Sequence, residues 1–391
     1  MPYGAGPRRL SDPRSCPLKS GDNESEIMDD QLKKELLRIR GAIDKIDAQL
    51  IQLLNDRAKL AIEVGGLKGK ENKPYFTPER EREIFEKLER ENPGPLQNRQ
   101  LTAIFREVIS AARAAEKPLT VAYWGPAGTF THMAALKTFG ESATHSSVST
   151  IAEVFQAVEH GQADYGLVPL ENSVAGVVPE TLDEFPVTNV RICAEVYLPI
   201  HHHLLSHAQS LNQIRRVYAG PQPSQQCRHW LREHLPQAVI ESVVPTSRAA
   251  EAAVADQEAA AIANRMTADL TGLPMLREHI QDNANNHTRF LVIGFNEPAR
   301  TGRDKTTVMF NLRNQPGALY RALRGFDEYG VNLLMIESRP AQRASFESNF
   351  FLDCVGHRHD ETMRNALEEL RPLTLEITVL GSYPMAALPN S

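Results

Sequence analysis

From residue 29 to about 68 the chain carries no proline, and apolar positions recur at Ile39, Ile43, Ile46, Leu50, Leu53, Leu60 and Val64. At about 100° per residue these fall within roughly 60° of one direction, so they form one stripe on a single long helix. Such a helix runs about 60 Å, too long for a lone small domain, and the stripe needs partner helices or a second subunit. Two more amphipathic segments, residues 78–91 and 96–115, complete an all-helical first third. After "EKP" the texture changes. Short apolar runs such as "LTVAYW", "ADYGLVPL", "VRICAEVYLPI" and "FLVIGF" alternate with helical periods such as "IAEVFQAVEHG" and "SRAAEAAVAD". Strands alternating with helices imply mostly parallel sheets covered by helices, in one sheet or two lobes. From residue 305 the order is strand, helix, strand, strand, helix, strand, the βαββαβ pattern of a ferredoxin-like α+β unit.

These textures divide the chain into a helical domain over residues 29–116, an α/β domain over 118–298 and the βαββαβ unit over 303–385, the last two separated by the charged stretch "NEPARTGRDK". Residues 1–27 are rich in Pro, Gly and Ser, bury too little to order themselves, and read as a disordered tail up to residue 28. Met28, opening "MDDQLKKELLRIRGAID", is itself a sensible start.

Composition narrows the functional classes. A net charge of -6 and the absence of a concentrated basic face argue against nucleic acid. No apolar run is long enough to span a bilayer, and the N-terminus lacks the regions of a secretory signal, so the cytoplasm is expected. Cys16, Cys193, Cys227 and Cys354 lie far apart without Cys-x-x-Cys spacing and read as free thiols. The triplet His201, His202, His203 invites a metal, but adjacent strand residues point to opposite faces and do not converge on one ion. No metal or cofactor is expected.

Arg57 and Lys68 fall inside the apolar stripe, and Arg40 lies about 100° from its centre. Cations in a buried stripe are costly unless an anion meets them, so either they snorkel or pair with Asp47, Asp56 or Glu63, or they await a ligand. Arg80 and Glu81, just after Pro78, add to the convergent charge. Several cations in an apolar interior suit a small dicarboxylate, taken bidentately. The run "RGAIDKIDAQLIQLLNDRAKLAIEVGGLK" followed by "PERERE" resembles the all-helical chorismate mutases. The resemblance implies that Arg40, Arg57 and Arg80 bind the substrate carboxylates, that Lys68 and a protonated Glu116 meet the ether oxygen, that Glu81 holds a hydroxyl, and that Thr77 and Ala112 line the site. It also implies an intertwined homodimer or higher oligomer, with Arg40 serving the partner's site. Two positions depart from the family pattern: Thr77, where related enzymes often carry Asp, and Glu116, where some carry Gln. A donor Glu116 must hold a proton, so mutase activity should favour lower pH.

Three polar motifs sit at strand ends of the middle third, where open α/β sheets bind ligands: "GPAGTFTHMAA" (125–135), "GLVPLENSVAG" (166–176) and "NNHTRFLVIG" (285–294). Singly, Gly125 and Gly128 shape a turn and "ENS" caps a helix. Together and in order they resemble prephenate dehydratases. That likeness implies a two-lobed fold like type II periplasmic binding proteins, with prephenate in the cleft, Thr288 as the main catalytic residue, Arg289 and Phe290 completing its motif, and Thr131, Asn172 and Ser173 lining the cleft. Glu171 is the nearest carboxylate in a motif, either a proton source or a structural ion pair.

In the last third, "GALY" (Gly317, Ala318, Leu319, Tyr320) opens a helix and "ESRP" (Glu337, Ser338, Arg339, Pro340) closes a strand. Gly317 lets backbone amides face a carboxylate at a helix N-terminus. On a βαββαβ unit the pair resembles the ACT domain of phenylalanine-sensitive dehydratases, implying that L-phenylalanine binds between two such domains and inhibits. Two readings compete: a non-enzymatic amino-acid sensor, which has no need of Arg57 and Lys68 in an apolar stripe, and a dehydratase with an inactive helical dimerisation module.

Overall fold

The computed structural model describes residues 21–71, 73–243, 246–340 and 348–388. The chain divides into two compact units, residues 1–59 and 60–391. Helix α1 (Gly21–Lys70) is continuous and begins inside the stretch expected to be a tail. Residues 22–40 contain neither Gly nor Pro, so nothing in the backbone stops the helix at residue 29. The rest of that expected tail, residues 1–20 with Cys16, lies outside the described residues. Every residue of the apolar stripe, from Ile39 at 43% exposure to Leu53 at 64%, is open to solvent in the single chain. Each such side chain, about half exposed, forgoes on the order of 1 kcal/mol of burial.

Helices α2 (Pro78–Glu91) and α3 (Asn98–Glu116) follow, the first opened by Pro at its first turn and the second by a reciprocal Gln97–Gln100 capping box. Gly65 lets α1 approach α3 closely, since a Cβ there would stand 2.9 Å from Glu116 Cβ. The turn before α2 sends Phe76 into the core of the next domain, where its ring meets Phe139 and Tyr165.

The middle third forms two sheets. The first is built by β1 (Thr120–Trp124), α4 (Phe130–Phe139), β2 (Thr144–Val148), α5 (Ile151–Glu159), β3 (Tyr165–Asn172), β4 (Gly176–Val177), α6 (Pro179–Glu184) and β5 (Arg191–Pro199). The second follows with β6 (His203–Leu205), β7 (Arg216–Ala219), α7 (Pro221–Gln226), α8 (Arg228–His234), β8 (Val239–Ser242), α9 (Thr246–Val254), β9 (Ala259–Ala263), α10 (Arg265–Thr271) and β10 (Met275–Arg277). The chain then returns as β11 (His287–Gly294), which enters the first sheet between β3 and β5, giving the orders β2-β1-β3-β11-β5 and β10-β6-β9-β7-β8. Both sheets are mixed, where mostly parallel ones were expected. The returning β11 runs antiparallel to β3 and β5, and β6 runs antiparallel to β9 and β10. The two crossings, around residues 200–202 and 278–286, bring polar segments to the boundary between the lobes.

The last third is β12 (Asp304–Leu312), α11 (Ala318–Glu328), β13 (Leu333–Pro340), β14 (Ser348–Val355), α12 (Glu361–Leu370) and β15 (Glu376–Pro384), an antiparallel sheet in the order β13-β14-β12-β15. Its two helices cover one face through Phe310, Ala322, Phe326, Leu352 and Met363. Its other face lies on the first α/β sheet, with Met309, Phe351, Leu380 and Tyr383 in one apolar cluster with Val154, Val168, Leu291 and Ile293. Strand β11 is therefore covered on both sides. Phe290 and Val292 pack into the core against α4, and Leu291 and Ile293 face the C-terminal sheet.

Candidate active sites and regulatory surface

The end of β3 meets the start of β11 in a network of neutral groups. Asn172 Nδ2 donates to Thr288 Oγ1 at 2.9 Å, to Asn286 Oδ1 at 2.8 Å and to the His287 carbonyl at 3.2 Å. Its Oδ1 accepts from the backbone amides of Val174 and Ala175 at 3.0 and 2.8 Å, which fixes which way the amide points. A hydroxyl that accepts from an amide keeps its own proton to donate, so Thr288, buried at 8% exposure, is poised as a donor. From the second lobe, Gln226 at the end of α7 accepts from Asn286 Nδ2 at 3.0 Å and stands 2.7 Å from His202 Nε2. Since Gln226 Oε1 only accepts, His202 holds its proton on Nε2; burial holds the ring's pKa below its usual value, keeping it neutral, and its Nδ1 is buried without a partner among the described residues.

The glycine-rich turn ties the lobes together from the other side. Gly125 and Gly128 take φ of 93° and 87°, conformations that favour glycine. The Gly128 carbonyl accepts from Asn264 Nδ2 at 2.7 Å and from Thr267 Oγ1 at 3.1 Å in the second lobe. Thr129 caps α4, which places Thr131 in its first turn, buried. Ser173 accepts from the His287 amide at 3.0 Å and donates to the Asn285 carbonyl at 3.2 Å, so its hydroxyl holds the polar run in place. Glu171 sits opposite Arg289 in the strand register.

The two residues that complete the Thr288 motif lie away from this network. Phe290 is core, fully buried among Val121, Leu167 and Val292. Arg289, one residue past Thr288, faces the other side of the sheet and binds Glu195 and Asp353. Among His201, His202 and His203, only His202 joins the network; the rings of His201 and His203 lie 4.5 and 5.2 Å from His279, and burial pushes His203 down to about 4. Cys193, Cys227 and Cys354 are buried thiols.

In the helical region the structure gathers Lys68, Glu81 and Glu116. Lys68 Nζ stands 3.2 Å from Glu116 Oε2, so the two groups expected at one ether oxygen do converge. Glu81 accepts from Arg113 Nη1 at 2.6 Å. Burial holds the Glu81 carboxyl above its usual range, with Arg113 and then Lys68 pulling it back down. Arg113 was not expected from the sequence: its guanidinium lies 5.3 Å from the Phe76 and Phe139 rings and donates to the Phe139 carbonyl at 2.8 Å. Thr77 precedes α2, Arg80 is exposed and paired with Glu83, and Ala112 is buried on α3. Arg40 is exposed and Arg57 half-buried on α1, while Asp56 binds Lys59 and Gln52.

In the C-terminal unit, Gly317 takes φ of 74° as the N-cap of α11, with Ala318 and Leu319 half-buried and Tyr320 exposed. Strand β13 alternates, with Glu337 and Arg339 half-buried and Ser338 and Pro340 exposed. Arg339 forks onto Asp183 of α6 at 2.9 and 2.7 Å, which makes it a tie between domains.

Comparison with known proteins gives three family matches in order: chorismate mutase type II over residues 39–117, prephenate dehydratase over 121–298 and the ACT domain over 306–372. The bifunctional chorismate mutase/prephenate dehydratase of Aquifex aeolicus is 45% identical over 359 residues, covering 91% of this chain and 99% of that protein. The chain belongs to the bifunctional chorismate mutase/prephenate dehydratases. The Pseudomonas aeruginosa member is 40% identical over 367 residues, covering 92% of this chain and 100% of its own. Among solved structures, prephenate dehydratase from Arthrobacter aurescens in complex with L-Phe has a TM-score of 0.65 at 34% identity, covering 70% of this chain and 94% of that one. A structure described as GqqA, a novel type of quorum quenching acylases, has a TM-score of 0.63 at 29% identity, covering 68% and 98%.

This bifunctional mutase-dehydratase of phenylalanine biosynthesis thus carries both activities on one chain with an ACT domain behind them. Neither the sensor reading nor the inactive-module reading survives that. Among the described residues, no helix of the mutase-dehydratase is long and apolar enough to cross a membrane. Its cleft holds two groups that sequence reasoning missed, Gln226 and His202. Gln226 had a usable signal, because "GPQPSQQC" follows strand β7 as a polar run at a strand end, the same rule that singled out Thr288.

Proposed function

We propose that Thr288 drives dehydration as a positioned hydrogen-bond donor. The observation that carries this is the Asn172 amide donating to Oγ1, which leaves the threonine proton for the substrate. Breaking the bond from the ring to the carboxylate sends an electron pair into the ring, and the opposite carbon–oxygen bond releases hydroxide. With one proton the products are phenylpyruvate, carbon dioxide and water. Aromatisation supplies the driving force, and Thr288 steadies the charge growing on the departing oxygen. Asn172, Asn286, Gln226 and His202 are neutral, so the network sets no anion beside that oxygen. Thr131 and Ser173 shape the cleft. An acylase reading, prompted by one solved structure, is not favoured: Thr288 accepts from an amide, and an amide cannot take the proton a nucleophilic hydroxyl must lose.

The mutase half works by complementarity to charge. The rearrangement is pericyclic, so Lys68 and Glu116 meet the ether oxygen, Arg57 and Arg80 take carboxylates and Glu81 holds the hydroxyl beside Thr77 and Ala112. The exposed stripe of α1 supports a homodimer in which a second chain covers it and Arg40 enters the partner's site. L-Phenylalanine binds at Gly317–Tyr320 and Glu337–Pro340 and inhibits dehydration, a reading supported by the ACT match and by the Arthrobacter complex. The test supplies prephenate to Thr288→Ser and Thr288→Val. Serine keeps the donor and should retain most activity, whereas the isosteric valine should lose it; equal activity in the two rejects the donor role.

A further inference from the structure

Arg289 directly follows Thr288 on β11, yet each of its three nitrogens donates on the opposite face. Nε donates to Glu195 Oε2 at 2.7 Å, Nη1 to Asp353 Oδ2, and Nη2 to the Tyr383 hydroxyl at 3.0 Å. Of these partners only Glu195, on β5, comes from the dehydratase; Asp353 on β14 and Tyr383 on β15 come from the ACT sheet. The same sheet closes the cluster. Lys305 Nζ donates to Glu195 Oε2 at 2.8 Å, and Thr307 Oγ1 lies 2.6 Å from both Asp353 Oδ1 and the Tyr383 hydroxyl. Every member is buried, and two cations face two carboxylates.

A buried guanidinium stays charged, so it is costly unless its anions meet it at hydrogen-bond distance. The ACT domain therefore supplies half the charge that fixes the residue next to Thr288, and bonds of this geometry tolerate little displacement. The path runs back to the regulatory surface. In the strand register Asp353 lies opposite Met335 on β13 and Thr307 on β12. Near its end β13 carries Arg339, tied to Asp183 of the dehydratase.

We propose that Arg289 is a positioning residue for dehydration, clamping β11 to the ACT sheet so that the place of Asp353 and Tyr383 sets where Thr288 Oγ1 stands. A ligand that shifts β13 shifts β14, then Asp353, then Arg289, and so withdraws the donor from the substrate. This rests on Thr288 being the donor. It also gives a reason for a regulatory domain to pack against the back of the catalytic strand.

The experiment compares Arg289→Lys and Tyr383→Phe in the full chain, reading kcat and KM for prephenate, inhibition by L-phenylalanine, and mutase activity as an internal check of folding. Lysine keeps the charge, but its single nitrogen lacks the planar fork that spans Glu195, Asp353 and Tyr383. Displacing a catalytic group by a fraction of an ångström is expected to lower kcat about tenfold, with KM and mutase activity little changed. Tyr383→Phe removes one oxygen and nothing else, so it decides the matter where the lysine variant fails to fold; its kcat should fall about threefold. In both, activity with saturating L-phenylalanine should move toward activity without it. Unchanged kcat and unchanged inhibition in folded variants overturn the proposal, as does an equal loss of mutase and dehydratase activity with a lower melting temperature, which marks a purely structural role. Thr288→Val separates the premise: full dehydration there rejects the donor, whatever Arg289 does.

Discussion

The mutase region and the dehydratase cleft solve opposite electrostatic problems. In the first, charged groups converge and satisfy one another while they wait: Lys68 meets Glu116, and Glu81 meets Arg113. In the second, the groups around Thr288 are amides, hydroxyls and a neutral imidazole. The difference follows from the reactions. A pericyclic rearrangement moves no proton and gains from fixed charges aimed at a dicarboxylate and an ether oxygen. Expulsion of hydroxide gains from one donor and from the absence of carboxylates that would oppose the leaving charge. The regions also differ in completeness. The cleft network closes within one chain, whereas the stripe of α1 is exposed over its whole length.

Changes that remove the charge or the donor should separate these regions most sharply. Lys68→Met is expected to lower mutase activity about 10²–10³-fold while leaving dehydration of added prephenate intact, measured as separate rates. A parallel fall in dehydration breaks the comparison. Gln226→Leu leaves Asn286 and His202 without their shared acceptor, and should lower dehydration about 10–100-fold with the mutase unchanged. A smaller effect should come from Arg113→Met. Arg113 is the leading influence that lowers the raised Glu81 pKa, so its loss moves that pKa higher. The carboxylate form that accepts the substrate hydroxyl then appears only at higher pH, and the acidic limb of the mutase profile should move up, read from kcat/KM against pH. An unmoved limb removes Glu81 from the site. The smallest effect is expected at Gly317, where alanine must adopt φ of 74° at a cost of about 1 kcal/mol. There the L-phenylalanine concentration for half inhibition should rise by roughly fivefold, equivalent to that cost, with both catalytic rates retained.

Much of this was legible in the sequence because local rules govern it. Pro78 set the start of α2, the 3.6-residue period gave α1 and α3, and the alternation of elements gave the βαββαβ sheet. Thr288 and Asn172 were legible as polar residues at strand ends. What escaped depends on long-range return of the chain. Strand direction in the first sheet is set by β11 coming back from the other lobe, which no local pattern records. Arg289 escaped for a simpler reason. The two-residue alternation that separates the faces of His201 and His202 applies equally to Thr288 and Arg289, but reading "HTRF" as one motif hid it; what covers the far face became visible only with Asp353 and Tyr383 in place. Arg113 escaped because its partners, Glu81 and the Phe139 carbonyl, lie on different domains.

Two sites acting independently and in sequence, one built from charge and one from a neutral donor network, are separated by mixing purified Thr288→Val and Lys68→Met chains with chorismate and following phenylpyruvate. Each variant alone should form almost none, the first accumulating prephenate and the second leaving chorismate. Together they should restore phenylpyruvate, because prephenate released by one chain is consumed by the other. No restoration, with both variants folded, would contradict the account and place the two residues in one shared site.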